Sequence, residues 1–154
     1  MPRMPDVTLD NRSLDGVHWN ILGQVYSPKL ITDDCFAWYA TLPIESFIPP
    51  HVHAHQSEHI HIIDGQLDVV LDATRHNAKA GETITLPRAV PHGLFNNCGS
   101  DVRCLFWVRP RADLDHLFRR LHNMARPDLV AKTSAEYGVD FLPPQRAVDQ
   151  LRGL

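Results

Sequence analysis

The chain predicts an all-β barrel or sandwich followed by a short helical segment, and three observations carry that prediction. Short runs rich in β-branched and aromatic residues recur between turn-forming residues over the first two-thirds of the sequence. After Arg109-Pro110 the apolar period changes from that of a strand to that of a helix. Six of the histidines fall in two ordered stretches, His51 to His61 and the segment around His92, both with strand-like alternation.

The predicted strands are Phe36–Thr41, Gln66–Leu71, Glu82–Leu86 and Val102–Val108, joined by those that carry the histidines. Pro49-Pro50, Asp64-Gly65, Ala80-Gly81 and Cys98-Gly99-Ser100 bound them as turns. Short strands at this spacing suit a sandwich or barrel. Gly65 is expected at positive φ, closing a hairpin after Asp64. Leu114, Leu117, Phe118 and Leu121 stand at i, i+3, i+4 and i+7, an apolar stripe that predicts a helix packed on the barrel. A second helix is expected to begin at Pro127, which suits a first helical position, and to end at Gly138. Beyond it Val139–Pro144 reads as extended and the last residues as weakly amphipathic. The expectation is a single domain over residues 1–154, with the barrel over about 15–110 and the helical segment over about 113–138.

Composition excludes several classes of partner. The 154 residues are 44% hydrophobic and 21% charged, with a net charge of -3, so no polyanion is called for. The two predicted helices balance Asp113, Asp115, Asp128 and Glu136 against Arg119, Arg120, Arg126 and Lys132, which ill suits a DNA-reading helix pair. No apolar run approaches the roughly 20 residues needed to span a bilayer, and Met1–Asp6 lacks the apolar core of a signal peptide. Cys35, Cys98 and Cys104 have no metal-type spacing and read as reduced thiols of a cytoplasmic protein. The expected partner is a small-molecule substrate, with no nucleic acid and no membrane.

The histidines point to a metal. Imidazole is the commonest protein ligand near neutral pH because its lone pair is free there. His51 and His53 are two apart, so on a strand they face the same way. Glu58 opens the next strand, where Glu58, Ile60 and Ile62 share one face and His59, His61 and Ile63 the other. His92 shares a face with Leu94 and Asn96 in the second stretch. Three histidines and one carboxylate would leave about two positions of a six-coordinate ion for water, oxygen or substrate. Such a set accepts one divalent transition metal, whether Fe, Mn, Ni, Cu, Co or Zn.

At these residues the sequence resembles the cupin superfamily. His51, His53, Glu58 and Gly65 meet its first motif, and Gly81, Pro87, His92 and Asn96 meet its second. Glu45 and Ala89 stand where the two motifs usually have glycine, so the loops there are expected to differ. Residues 66–80 separate the motifs, a length that fits a simple hairpin. The ending, with Glu136-Tyr137-Gly138-Val139-Asp140-Phe141-Leu142-Pro143-Pro144, is similar to small bacterial cupins labelled quercetin-dioxygenase-like. The resemblance implies an antiparallel β-barrel or jelly roll, a metal inside its mouth held by His51, His53, Glu58 and His92, and frequent homodimers. It leaves three functional classes open: a dioxygenase acting on a small aromatic or unsaturated compound, a non-redox isomerase, lyase or cyclase, and a ligand-binding protein without catalysis.

The remaining residues sort around this set. Glu58 is a candidate catalytic base as well as a ligand, and His55, in the loop at the rim, is either a second acid/base group or a solvated side chain. His55-Gln56-Ser57-Glu58-His59 matches one zinc-protease pattern, but that pattern works only on a helix, and β-like residues follow it. His59 and His61 are expected on an outer sheet face or a subunit contact, and His18, His76, His116 and His122 on the surface. Phe36, Trp38, Phe47, Leu94, Phe106 and Trp107 are candidates to line a cavity.

Overall fold

A computed structural model describes residues 12–143. The last, weakly amphipathic residues of the sequence reading lie outside the described residues. Among the described residues eleven strands form two antiparallel sheets. The strands are β1 (Trp19–Ile21), β2 (Gln24–Ile31), β3 (Phe36–Leu42), β4 (Phe47–His53), β5 (Ser57–Asp64) and β6 (Gln66–Leu71). They continue with β7 (Thr74–Lys79), β8 (Thr83–Leu86), β9 (His92–Phe95), β10 (Val102–Arg109) and β11 (Val139–Phe141). One sheet runs β1-β2-β3-β10-β5-β8 and the other β11-β4-β9-β6-β7, the jelly-roll arrangement that the resemblance implied. Two helices, α1 (Leu114–Leu121) and α2 (Pro127–Ala135), lie between β10 and β11.

Strand parity builds the core. On β5, Glu58, Ile60 and Ile62 are buried and His59, His61 and Ile63 half-buried. On β10, Cys104, Phe106 and Val108 point inward, and Leu105 and Trp107 outward. Trp38 stacks on Phe106 with centroids 5.2 Å apart, and on Phe36 at 4.8 Å. Phe118 of α1 meets the face of this stack edge-on, 5.0 Å from Trp38 at 83°. Such pairs add roughly 0.5–1.5 kcal/mol beyond the area they bury. The stripe read from the sequence is the buried face of α1: Leu114, Leu117, Phe118 and Leu121 are all buried. Asp115 is buried beside them, between Arg111 and Arg119 at 3.5 and 3.2 Å.

The turns follow backbone requirements. Gly65 has φ +88°, and a Cβ there would sit 3.1 Å from the Val102 side chain and 3.2 Å from the Asp101 carbonyl. Glu45 and Ala89 both have φ 65°, so the two loops keep the left-handed turn without glycine and do not differ as expected. At Ala89 that turn lets the amide reach the His53 carbonyl at 3.0 Å. α2 starts at Pro127 as read but ends at Ala135, three residues before Gly138, which takes φ +76° in the turn into β11.

Candidate metal centre

β4 delivers two of the four ligand candidates. Ile48 pairs with Leu94 and His51 with His92, so β4 carries one extra residue between them. Pro49 and Pro50 occupy this bulge, where the ladder needs no proline N–H. The extra residue lets Ile48 and His51, three apart, face the same side, and His53 follows by alternation. Gly93 sits opposite, where a Cβ would lie 3.3 Å from the Pro50 nitrogen and 3.4 Å from the Ile48 carbonyl oxygen. Glu58 arrives from β5, paired to Val108 and Leu86, and His92 opens β9. On the far edge of β4, β11 sets Val139 against His53 and Phe141 against His51.

His51, His53, Glu58 and His92 are brought together, all buried, with one ligand atom from each within 4.8 Å of the others. Ligands about 2.0–2.2 Å from one ion are separated by no more than about 4.4 Å, so a contraction of tenths of an ångström seats an ion. Three nitrogens and one carboxylate oxygen are the donor chemistry of a divalent transition metal, and the group can hold one. Glu58 Oε2 accepts from His92 Nε2 at 2.9 Å and lies 3.7 Å from His53 Nε2.

The three rings are held unequally. His51 Nδ1 donates to the Pro49 carbonyl at 2.8 Å. His53 Nδ1 lies 3.3 Å from Gln56 Oε1. His92 Nδ1 is buried without a partner. Burial, then the neighbouring rings, holds the His51 imidazole well below its ordinary range, and burial lowers His53 against the opposing pull of Glu58. Both rings are therefore neutral near pH 7 and keep a lone pair for an ion. Burial raises the Glu58 carboxyl, but His53 and the hydrogen bond from His92 outweigh it and bring it down to about 2.

A cavity of about 110 Å³ opens onto this group. His51, His53 and Glu58 form its polar end, with Trp38, Phe106, Tyr26 and Phe47 on the barrel side. Leu114, Leu117, Phe118, Leu121, Val130, Val139 and Phe141 close it from the C-terminal segment. Among the described residues its other polar side chains are Gln24, Tyr26, Ser134 and Trp38: Tyr26 Oη donates to Gln24 Oε1, Gln24 Nε2 to the Phe47 carbonyl and Ser134 Oγ to the Val130 carbonyl, whereas the buried Trp38 Nε1–H has no partner. Among the described residues no Lys or Arg lines it.

The sequence reading placed some residues differently. Of its cavity candidates, Trp38, Phe47 and Phe106 line the space, and Phe36 and Leu94 are core. Trp107 is a correction: it faces outward because Phe106 faces inward, and it stacks on His59 at 5.2 Å. His55 is exposed and does not line the cavity; its ring covers Gly138, where a Cβ would lie 2.4 Å from its Cδ2. His59 and His61 stand on the outer face as expected, bonded to Thr85 and Thr83. His18, His76, His116 and His122 are exposed. Gln56, only 1% exposed, was not singled out. Nothing in a loop glutamine before Ser57 signals a role, because the two carbonyls that orient its amide come from residues over 50 positions away.

Comparison with known proteins agrees with this geometry. Residues 38–108 match the family model described as the cupin domain. Protein SchB of Streptomyces halstedii is 29% identical over 73 residues, 46% of this chain and 53% of its own length. The chain thus spans about half of that curated relative. The cupin domain of Schizosaccharomyces pombe Cnp3 is 18% identical, with TM-score 0.56 over 70% of this chain and 75% of that one. KdgF from Halomonas sp. is 17% identical, with TM-score 0.54 over 60% of this chain and 84% of its own. Among the described residues, no helix is long and apolar enough to cross a membrane.

Proposed function

We propose that this chain, a cupin-superfamily protein through residues 38–108, binds one divalent transition metal and acts as a dioxygenase on a small aromatic or unsaturated compound. The observation that carries the reading is a buried three-His, one-Glu group at the polar end of an otherwise apolar cavity. An ion held by His51, His53, Glu58 and His92 would supply Lewis acidity and, if redox-active, a route for electrons to dioxygen.

The chain's own residues do the rest. The aromatic wall of Trp38 and Phe106 suits a flat apolar molecule, and the C-terminal segment keeps water from it. The volume, about 110 Å³, is below the roughly 150 Å³ apolar cavity that admits benzene, so it takes a short unsaturated chain as it stands and a single small ring only where its lining gives way. Glu58 is ionised and its Oε2 faces the site, so it can take a proton from an acidic hydroxyl or C–H of a bound molecule. One fold neighbour is described as a sugar phosphate isomerase from the cupin superfamily, of Silicibacter pomeroyi. A phosphorylated substrate is disfavoured here because, among the described residues, the cavity offers no cationic side chain.

The test is oxygen uptake by iron-, manganese-, copper- or nickel-loaded protein with a panel of small phenols and enols, repeated with Glu58→Gln. The expected result is substrate-dependent oxygen consumption. In Glu58→Gln the ion stays on three histidines while turnover falls on the order of 10²–10⁴-fold. Full metal with near-normal turnover would remove the base role from Glu58. Substrate conversion without oxygen consumption would replace the dioxygenase with the non-redox isomerase or lyase reading.

A further inference from the structure

Gln56 lies in the turn between β4 and β5, 1% exposed, with every polar atom of its amide engaged. Its Nε2 donates to the Arg111 carbonyl at 3.1 Å and lies 3.5 Å from the Pro110 carbonyl. Carbonyl oxygens only accept, so the amide nitrogen must face them and Oε1 must face His53. An amide oxygen also only accepts, so the His53 proton sits on Nδ1. A neutral imidazole carries one proton, which leaves Nε2 bare, and Nε2 is the nitrogen that faces Glu58. A flipped amide would set its oxygen against two carbonyl oxygens.

We propose that Gln56 is a positioning residue for the metal centre: it fixes the His53 tautomer and ring orientation, and it does so from an anchor in the connection between β10 and α1. The proposal rests on the metal-binding reading above. The anchor is itself held, because Arg111 pairs through Nε with the buried Asp115 Oδ1 of α1 at 3.5 Å. The other two rings have no such side chain: His51 uses the backbone carbonyl of Pro49, and His92 Nδ1 has no partner. Among the described residues Gln56 is therefore the one side chain that ties a ligand ring to the C-terminal segment by hydrogen bonds; Phe141 only packs on the His51 ring, at 5.2 Å. A bland alternative is that Gln56 merely pins one loop to another, and that role would leave metal affinity untouched.

The test is Co(II) titration of metal-free wild type, Gln56→Leu and Gln56→Glu, followed by visible absorption, with melting temperatures measured alongside. Gln56→Leu removes both halves of the amide. It should weaken Co(II) binding about 10–100-fold and shift the visible bands. Gln56→Glu still accepts from Nδ1–H but cannot donate to Arg111. It should lower the melting temperature as Gln56→Leu does, yet keep Co(II) affinity within a few-fold of wild type. Wild-type affinity in Gln56→Leu, or an equal loss in both variants, would overturn the proposal. If Gln56→Leu does not fold, Gln56→Glu decides: retained affinity supports the proposal and lost affinity overturns it. Wild type that takes up no Co(II) would overturn the metal reading and this inference with it, whereas equal binding by all three proteins overturns this inference alone.

Discussion

The two halves of the cavity differ in kind. The barrel half carries every group with chemistry: three imidazoles and a carboxylate on β4, β5 and β9, beside the stack of Trp38 on Phe106. The half formed by α1, α2 and β11 presents Leu, Val and Phe side chains, and its one polar side chain, Ser134, bonds back to its own helix. The barrel half falls largely within residues 38–108, the region that matches the cupin-domain family model, and the apolar half lies outside it. The difference teaches a division of labour. Strand alternation and one bulge place the reactive groups, and the shape of the cap decides what can reach them.

Three changes test whether the two halves act separately. The largest effect is expected in the cap. Phe118 is buried against Trp38, Tyr26 and Phe36, so Phe118→Ala should cost about 3–5 kcal/mol in chemical denaturation. Metal affinity of the folded variant should stay within a few-fold of wild type, and a parallel loss of metal would show that the halves are not separable. A smaller effect belongs to the barrel. Burial holds His51 and His53 below their ordinary range in the folded state, so the unfolded chain takes up protons first. Stability of the metal-free protein is then complete above the unfolded value, near 6.5, and declines as pH falls toward the folded values. Melting temperatures from pH 7 to pH 5 should fall, and His51→Gln should flatten the slope; a flat wild-type curve would contradict the assignment. The smallest effect is at the turn that ties the β8–β9 loop to His53. Ala89 has φ 65°, so Ala89→Gly should gain up to about 1 kcal/mol with metal affinity unchanged. A destabilised variant would argue against relief of strain there.

The legibility of the sequence follows the same line. Period-two alternation placed Glu58, Ile60 and Ile62 inside and His59 and His61 outside, because a strand with one buried face has its parity set by its own residues. The stripe of α1 was equally local. What escaped depended on distant partners. β1 and β2 were not read, since Pro28 and Lys29 interrupt the apolar pattern; the strand accommodates them with a register shift between Pro28 and Leu30. Phe106 and Trp107 are adjacent on one strand and cannot both face the cavity, and Phe106 holds the inward parity. Gln56 gained its place only when Pro110 and Arg111 folded back over the turn.

Everything proposed for this site depends on His51, His53, Glu58 and His92 holding one metal ion. The most direct measurement of this is the metal content and Co(II) affinity of wild type beside a His51→Ala/His53→Ala double variant, with folding of both checked by circular dichroism. One ion per wild-type chain is expected, and none retained by the folded double variant. Stoichiometric metal at the same site in the double variant, or a folded wild type that binds none, would contradict it.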